Sequence, residues 1–243
     1  MKHYVIISSS YSLGTRIALD FTIEDKSDKQ KVIDVSKQIL DSCGKNTPIA
    51  THLIDTTSSS WKSVIEADSF FEDIKLISDV SEFIALILKD KTLDSVSVAK
   101  YILTQVKCSH LKLEKLVYLC YAEYLCQTNA RLFDDEIYAF KYGPVVKDVY
   151  EHYKVYERKK IEARLSDEFT LPLRSRISFS SNGLDKLYCI DDTIKHYKDL
   201  STTQLIDITH SDGSPWNAVY DGTTYHKIIP DELIKERHCV EKA

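Results

Sequence analysis

The apolar positions of this 243-residue chain change period several times, and each change marks an element. Tyr4 to Ser8 is a short β-rich run, a polar loop follows to Gly14, and Ile17, Leu19, Phe21 and Ile23 then alternate with Arg16, Ala18, Asp20 and Thr22. Alternation is the signature of a half-buried strand, so the pattern predicts an antiparallel pair. From Asp28 to Ser42, Val32, Val35, Ile39 and Leu40 share a helical face opposite Lys29, Lys31 and Lys37, and Gly44 supplies a stop. Pro48–Ile54 and Glu72–Ile77 predict third and fourth strands on either side of Trp61–Phe71, whose pattern fits neither period. Residues 1–77 therefore read as a small α/β unit of ββαβ type. Asp79-Val-Ser-Glu82 has the form of a capping box that opens a helix with Val80, Phe83, Ile84, Ile87 and Leu88 inward.

The charged, aperiodic run Lys89–Asp94 is the expected boundary between a unit of residues 1–92 and one of residues 93–243. Beyond it the period is helical. Val98, Tyr101, Ile102 and Val106 form one face, and Leu113, Leu116, Val117, Cys120, Tyr121 and Tyr124 form the stripe of a buried helix that Asn129 ends. Glu136–Tyr142 alternates like a short strand. Lys141-Tyr142-Gly143-Pro144 then predicts a corner: Gly143 for an unusual backbone angle, Pro144 for the first turn of a helix carrying Val145, Val149, Tyr153 and Tyr156 on one face. Leu165–Asn182 reads mostly as loop with a strand at Ile177–Ser180, and Leu184–Leu200 as helix. Ser201–Gln204 is a second capping box, and Ser214-Pro215 is an N-cap with proline at the first helical position, starting a short helix at Trp216. The fold class is α+β, a small α/β unit followed by a mostly helical one with a short strand or hairpin.

Composition narrows this picture little. Hydrophobic content of 43% and charged content of 28% suit a globular protein. A net charge of −5 gives no general attraction to nucleic acid, and no run reaches the length of a signal peptide or membrane span. The expectation is a cytoplasmic protein. Six cysteines without a CxxC pair point to reduced thiols, and Cys108-Ser-His110 lacks the second ligand pair that a metal site needs. Fifteen tyrosines suit an interface, although most tyrosines serve a core.

Chemistry-bearing residue types are present without a catalytic arrangement. His210, Asp212 and Ser214 have the residue types of a hydrolase triad, but so short a stretch of chain cannot align nucleophile, base and orienter. The better reading is that His210 and Ser214 bond to nearby backbone and hold the corner before Trp216. Asp134, Asp135 and Glu136 lack the alternating ligands and glycine turn of a Ca²⁺ loop, which leaves an acidic loop able to face a basic partner. Arg158–Arg164 is basic but lacks the interleaved aromatics of a nucleic-acid surface. The Gly143-Pro144 corner has two readings: a plain turn, or a turn that presents Lys141 and Tyr142. Neither a cofactor nor a metal ligand set is expected.

LxKLxY at Leu113–Tyr118, Leu132-Phe133 before an acidic pair, Phe140–Val146, and Leu205–Trp216 together resemble the Panacea domain, the SocA-like, phage-associated GepA-type domain of bacterial antitoxins. The resemblance runs from about Val96 to Leu233 and leaves the first 92 residues outside it. It implies a mostly helical antitoxin encoded beside a toxin that it neutralises by direct binding, or an adaptor that delivers the toxin to a AAA+ protease. An enzyme using the His210 corner stays as a less favoured alternative; no membrane partner is expected, and DNA binding is disfavoured because no helix-turn-helix is readable in the N-terminal extension. The candidate partner-binding residues are Lys141, Tyr142, Asp134, Asp135 and Tyr150; the residues that hold the motif are Phe133, Gly143, Pro144, His210, Ser214, Pro215 and Trp216. The N-terminal extension is left three roles: setting toxin choice, forming a homodimer, or, least favoured, binding operator DNA.

Overall fold

The computed structural model describes residues 1–157, 159–161, 172–223 and 227–242. They divide into two compact units, one formed by Met1–Lys91 and the other by the residues from Thr92 onward, Pro172 excepted. Strands and helices are both present and the second unit is mostly helical, an α+β fold.

In the first unit, β1 (Lys2–Ser10) and β2 (Thr15–Ile23) form the antiparallel pair that the alternation predicts, from Lys2 opposite Ile23 to Ser10 opposite Thr15. Next come α1 (Lys26–Cys43), β3 (Ala50–Asp55), α2 (Trp61–Ala67), β4 (Ile74–Leu76) and α3 (Val80–Lys91). The sheet order is β3-β1-β2-β4, with β4 parallel to β2. Asp25 caps α1 in a capping box with Asp28, and Gly44 closes it at φ 92°. The ambiguous stretch is α2 and a 3-10 turn at Ser69–Phe71, started by Ser60 and Asp68, whose side chains accept backbone N–H groups. Val64, Phe71, Val5, Ile7 and Ala18 share one apolar cluster. Leu88, expected inward on α3, is 44% exposed. The serine-rich loop spends the Tyr11 and Ser12 N–H groups on the buried Asp90 carboxylate, at 2.7 and 3.0 Å.

The second unit opens with α4 (Ser95–Gln105) and α5 (His110–Thr128), on which the rest is assembled. Every residue of α5 from Leu113 to Ala122 is buried, so it carries apolar surface on all sides rather than one stripe. Asn129 ends it in the left-handed conformation. The short strand is β5 (Ile137–Phe140), and it is followed by β6 (Gly143–Val146), not by a helix. Pro144 fits there because β6 is an edge of its sheet, where a missing N–H breaks no ladder. Helix α6 (Lys147–Tyr153) begins three residues later than expected; Val149 and Tyr153 are buried, while Val145 lies on β6 and Tyr156 is exposed in a 3-10 turn.

Residues 177–180 are not a strand, because Leu173–Phe179 is helix α7. Its sequence, LRSRISFS, alternates, yet tertiary anchors override the period. Arg176 donates to the Thr92 carbonyl at 2.6 Å, and Arg174 to the Tyr101 hydroxyl at 2.9 Å. The basic run from Arg158 lies mostly outside the described residues; of it, Lys159 and Lys160 are exposed. Then come α8 (Gly183–Tyr197), α9 (Thr202–Thr209) behind the predicted Ser201–Gln204 capping box, α10 (Pro215–Val219) capped by Ser214, β7 (Lys227–Ile228) paired with β5, and α11 (Asp231–Arg237). None of the helices among the described residues is long and apolar enough to cross a membrane.

Candidate functional site

The motif residues converge on one turn. β5 and β6 pair so that Phe140 faces Gly143, leaving Lys141 and Tyr142 as the tip of a hairpin. Gly143 has φ 108°, a left-handed value that glycine adopts without strain. Space demands glycine as well: a Cβ there would lie 2.8 Å from Lys115 Cε, 2.9 Å from its Nζ and 3.1 Å from Thr209 Oγ1. Lys115, the lysine of LxKLxY, is fully buried on α5, and its ammonium donates to the Pro144 carbonyl at 2.8 Å. Burial draws its pKa down to about 8, against the opposing pull of Glu114.

The other shoulder of the turn is held by the second motif. Trp216 Nε1–H donates to the Phe140 carbonyl at 2.7 Å. The His210 ring stacks on Trp216 at 3.6 Å between centroids and 4° between planes, and Tyr220 stacks on Trp216 as well, at 4.6 Å. Burial, and then the Lys115 charge, lower the His210 pKa, while Asp207 and the Tyr142 backbone pull the other way. Ser214 Oγ donates to the Thr209 carbonyl at 2.9 Å and accepts the Asn217 N–H at 3.1 Å, so its hydroxyl caps α10. Ser214, Pro215 and Trp216 are buried, as is Phe133, whose ring meets Tyr121 at 4.9 Å.

What these residues hold in place is small and exposed. Tyr142 is 56% exposed, and Lys141, also exposed, places its ammonium 5.5 Å from the Tyr142 ring. Tyr150 on α6 is half-buried, its ring 5.3 Å from that of Phe140. Asp134 and Asp135 precede β5, so a four-residue strand, about 13 Å of rise, separates them from the tip. Asp134 is exposed. Asp135 is half-buried and accepts the Ser95 N–H at the start of α4, at 3.1 Å; burial pushes its pKa up. The candidate partner residues thus fall into a tip group of Lys141, Tyr142 and Tyr150 and a separate acidic pair.

Lys115 and Thr209 were legible only as letters of a motif, and their place under the turn was not. The usable signal is α5 itself. Between Leu113 and Leu125 its only charged residues are Glu114, Lys115 and Glu123, and a helix so apolar has no solvent face to put them on. Each meets a partner: Glu114 bonds His110 at 3.0 Å, Lys115 bonds Pro144, and Glu123 meets His238 at 3.2 Å and Lys242 at 3.0 Å.

Residues 113–217 match the family model for the antitoxin SocA-like Panacea domain, a narrower span than 96–233. The chain is also 25% identical over 161 residues to Antitoxin SocA of Caulobacter vibrioides (strain NA1000 / CB15N), a match that covers 63% of this chain and 86% of that protein. No solved structure matches.

Proposed function

From the premise that this chain carries a SocA-like Panacea domain, we propose that it is an antitoxin that holds a cognate toxin inactive by direct binding, with Lys141 and Tyr142 as anchors of the interface. The observation that carries this reading is the exposed two-residue tip on a turn fastened at both carbonyl shoulders. Tyrosine is among the residues where interface energy concentrates, and a tip already held in place loses less entropy when it binds. The reading includes no catalysis. The Ser214 hydroxyl is engaged with Thr209 and Asn217, and the His210 ring is packed on Trp216, which supports a corner that holds structure.

Co-expression with the adjacent reading frame tests this. That product is expected to arrest growth alone and to be tolerated with this chain, and Tyr142→Ala with Lys141→Ala should abolish rescue at unchanged antitoxin level. A neighbour that is harmless alone, or toxic in spite of the wild-type chain, would sink the reading. Loss of the toxin from cells, in place of a stable complex, would move it to a proteolytic adaptor.

For residues 1–92 we propose a part in toxin choice or self-association, since they lie outside the family match. A chain of residues 95–243 is expected to fold, and to bind the same toxin more weakly or with a changed stoichiometry in a pull-down. Equal affinity and equal oligomeric state for both chains would remove that role.

A further inference from the structure

Burying an ammonium costs several kcal/mol of hydration, and an apolar side chain could fill the same volume without that cost. Lys115 nevertheless lies fully buried directly beneath the hairpin turn, in space that exists because residue 143 has no Cβ. Among the described residues its ammonium has one hydrogen-bond acceptor, the Pro144 carbonyl. The Phe140 and Pro144 carbonyls bracket Lys141–Gly143, one held by Trp216 and the other by Lys115. The two sequence motifs, about a hundred positions apart, therefore fasten the two sides of the same exposed tip.

We propose that Lys115 is a positioning residue for the candidate interface: from beneath the turn it fixes the direction in which Lys141 and Tyr142 are presented to a protein partner. The proposal rests on the reading of the tip as a toxin-binding anchor. The charged and titratable groups that act on Lys115 are Glu114 on its own helix, itself bonded to His110, and His210 at the end of α9; the hairpin offers it a carbonyl. Burial brings the ammonium to a pKa of about 8, so its loss of charge is within reach of ordinary buffers.

The test compares the full chain with its Lys115→Met, Lys115→Arg and His210→Gln variants. In the wild type, the Lys141–Gly143 amide resonances are expected to titrate with a midpoint near 8, and to do so in His210→Gln as well. In Lys115→Met the titration disappears, and order parameters at the tip fall from about 0.85 to below about 0.6. The thermal midpoint of Lys115→Met should hold, because an apolar replacement of a buried charge is often neutral or stabilising. With the purified product of the adjacent reading frame as probe, Kd should rise about tenfold or more. Lys115→Arg should not restore it, since a planar guanidinium is larger than the ammonium that already lies against residue 143 and presents its donors in a different geometry. A wild-type chain that fails to bind the probe overturns the toxin-binding reading, and the amide measurements still decide whether Lys115 holds the turn. Tight binding by both wild type and Lys115→Met, with a rigid tip in each, overturns the Lys115 proposal and leaves that reading standing.

Discussion

The β1–β2 pair and helix α5 solve the same problem, how a core element keeps its polar residues, in opposite ways. A strand has two faces, and its period sorts side chains between them. Two buried polar groups of the first unit are met twice over within it: Asp90 takes two loop N–H groups, and His3 bonds Asp20 and the Ser58 carbonyl. Helix α5 is buried on all sides from Leu113 to Ala122, and of its three charges there and in the next turn Glu114 bonds His110 on the same helix while Lys115 and Glu123 find partners on later elements. Those partners determine what docks on it. Lys115 gathers the hairpin, Tyr121 bonds Asp231 on α11 at 2.7 Å, and Tyr118 bonds Glu241 near the end of the chain at 2.8 Å. Polar residues on such a helix act as docking instructions for later elements.

The sharpest way to break this comparison is to remove the apolar packing against α5. Phe133 is 1% exposed and Trp216 7%, and a large buried aromatic cut to alanine typically loses about 3–5 kcal/mol. Phe133→Ala and Trp216→Ala are each expected to lower the unfolding free energy from urea melts by an amount in that range, with Trp216→Ala also freeing the Phe140 carbonyl. Unchanged midpoints would mean that α5 does not depend on what is packed around it.

A smaller effect isolates the turn. Gly143→Ala forces a side chain into a left-handed φ and against Lys115, which should cost about 1–3 kcal/mol. Shortening the lysine should recover the steric part: in a double-mutant cycle with Lys115→Ala, the coupling is expected to reach about 0.5–3 kcal/mol. Strict additivity would show that Lys115 and Gly143 do not interact.

The same contrast governs what could be read without the structure. The alternation from Arg16 to Ile23 outlines β2, although Ala18, an outward position of that pattern, is buried, and β1 is legible as the β-rich run Tyr4–Ser8. The inward side of α5 was equally plain from Leu113 to Tyr124. Its buried charges were not, since a stripe of six apolar positions does not say what covers Glu114 and Lys115 beside it. At the hairpin, Gly143-Pro144 suits a helix start as well as a sheet edge. The choice between them is made by Lys115, nearly thirty residues earlier, and by Trp216, more than seventy later. In the candidate site the tip residues were legible, and what holds them was not. Alternation misled at LRSRISFS, where Arg174 and Arg176 anchor α7 through contacts that no local pattern records.

The acid–imidazole cluster where the last residues meet α5 gives the comparison a pH dependence. Burial alone would lower the His238 pKa, but the Glu123 carboxylate 3.2 Å away and the hydrogen bond to Glu241 at 2.7 Å raise it above 6.5. The close His238 and then Lys242 hold Glu123 down at about 2, against burial. A raised histidine contributes stability below its ordinary 6.5 that is lost as pH climbs through the folded value. A depressed carboxylate contributes above its ordinary 4.5, and that contribution is lost as pH falls toward 2. Glu241, raised by burial, works the other way and contributes stability at low pH that is lost as pH climbs through its folded value. In urea midpoints measured against pH, the decline toward pH 2 therefore belongs to Glu123 and the decline above 6.5 to His238. Glu123→Gln should flatten the acid limb between 4.5 and 2, and His238→Gln the limb above 6.5. Limbs of the same slope in the variants would detach this cluster from the stability of α5.

The smallest expected effect on folding belongs to the residue with the largest expected effect on binding. Tyr142 is 56% exposed, and its ring has the Lys141 ammonium at 5.5 Å, a contact of two solvent-facing neighbours. Tyr142→Ala removes neither of the bonds that fasten the turn, which come from the Phe140 and Pro144 carbonyls. Exposed substitutions away from special features usually change stability by no more than about 0.5 kcal/mol. Tyr142→Ala is therefore expected to change the unfolding free energy from urea melts by no more than about 0.5 kcal/mol while weakening toxin binding by about 2 kcal/mol, the loss associated with a central interface tyrosine. Isothermal titration with the purified adjacent-frame product, beside urea melts of the same preparation, measures both quantities. A variant that melts and binds like the wild type would show that the chain fastens this turn for stability alone, and the interface would have to be sought elsewhere on the domain.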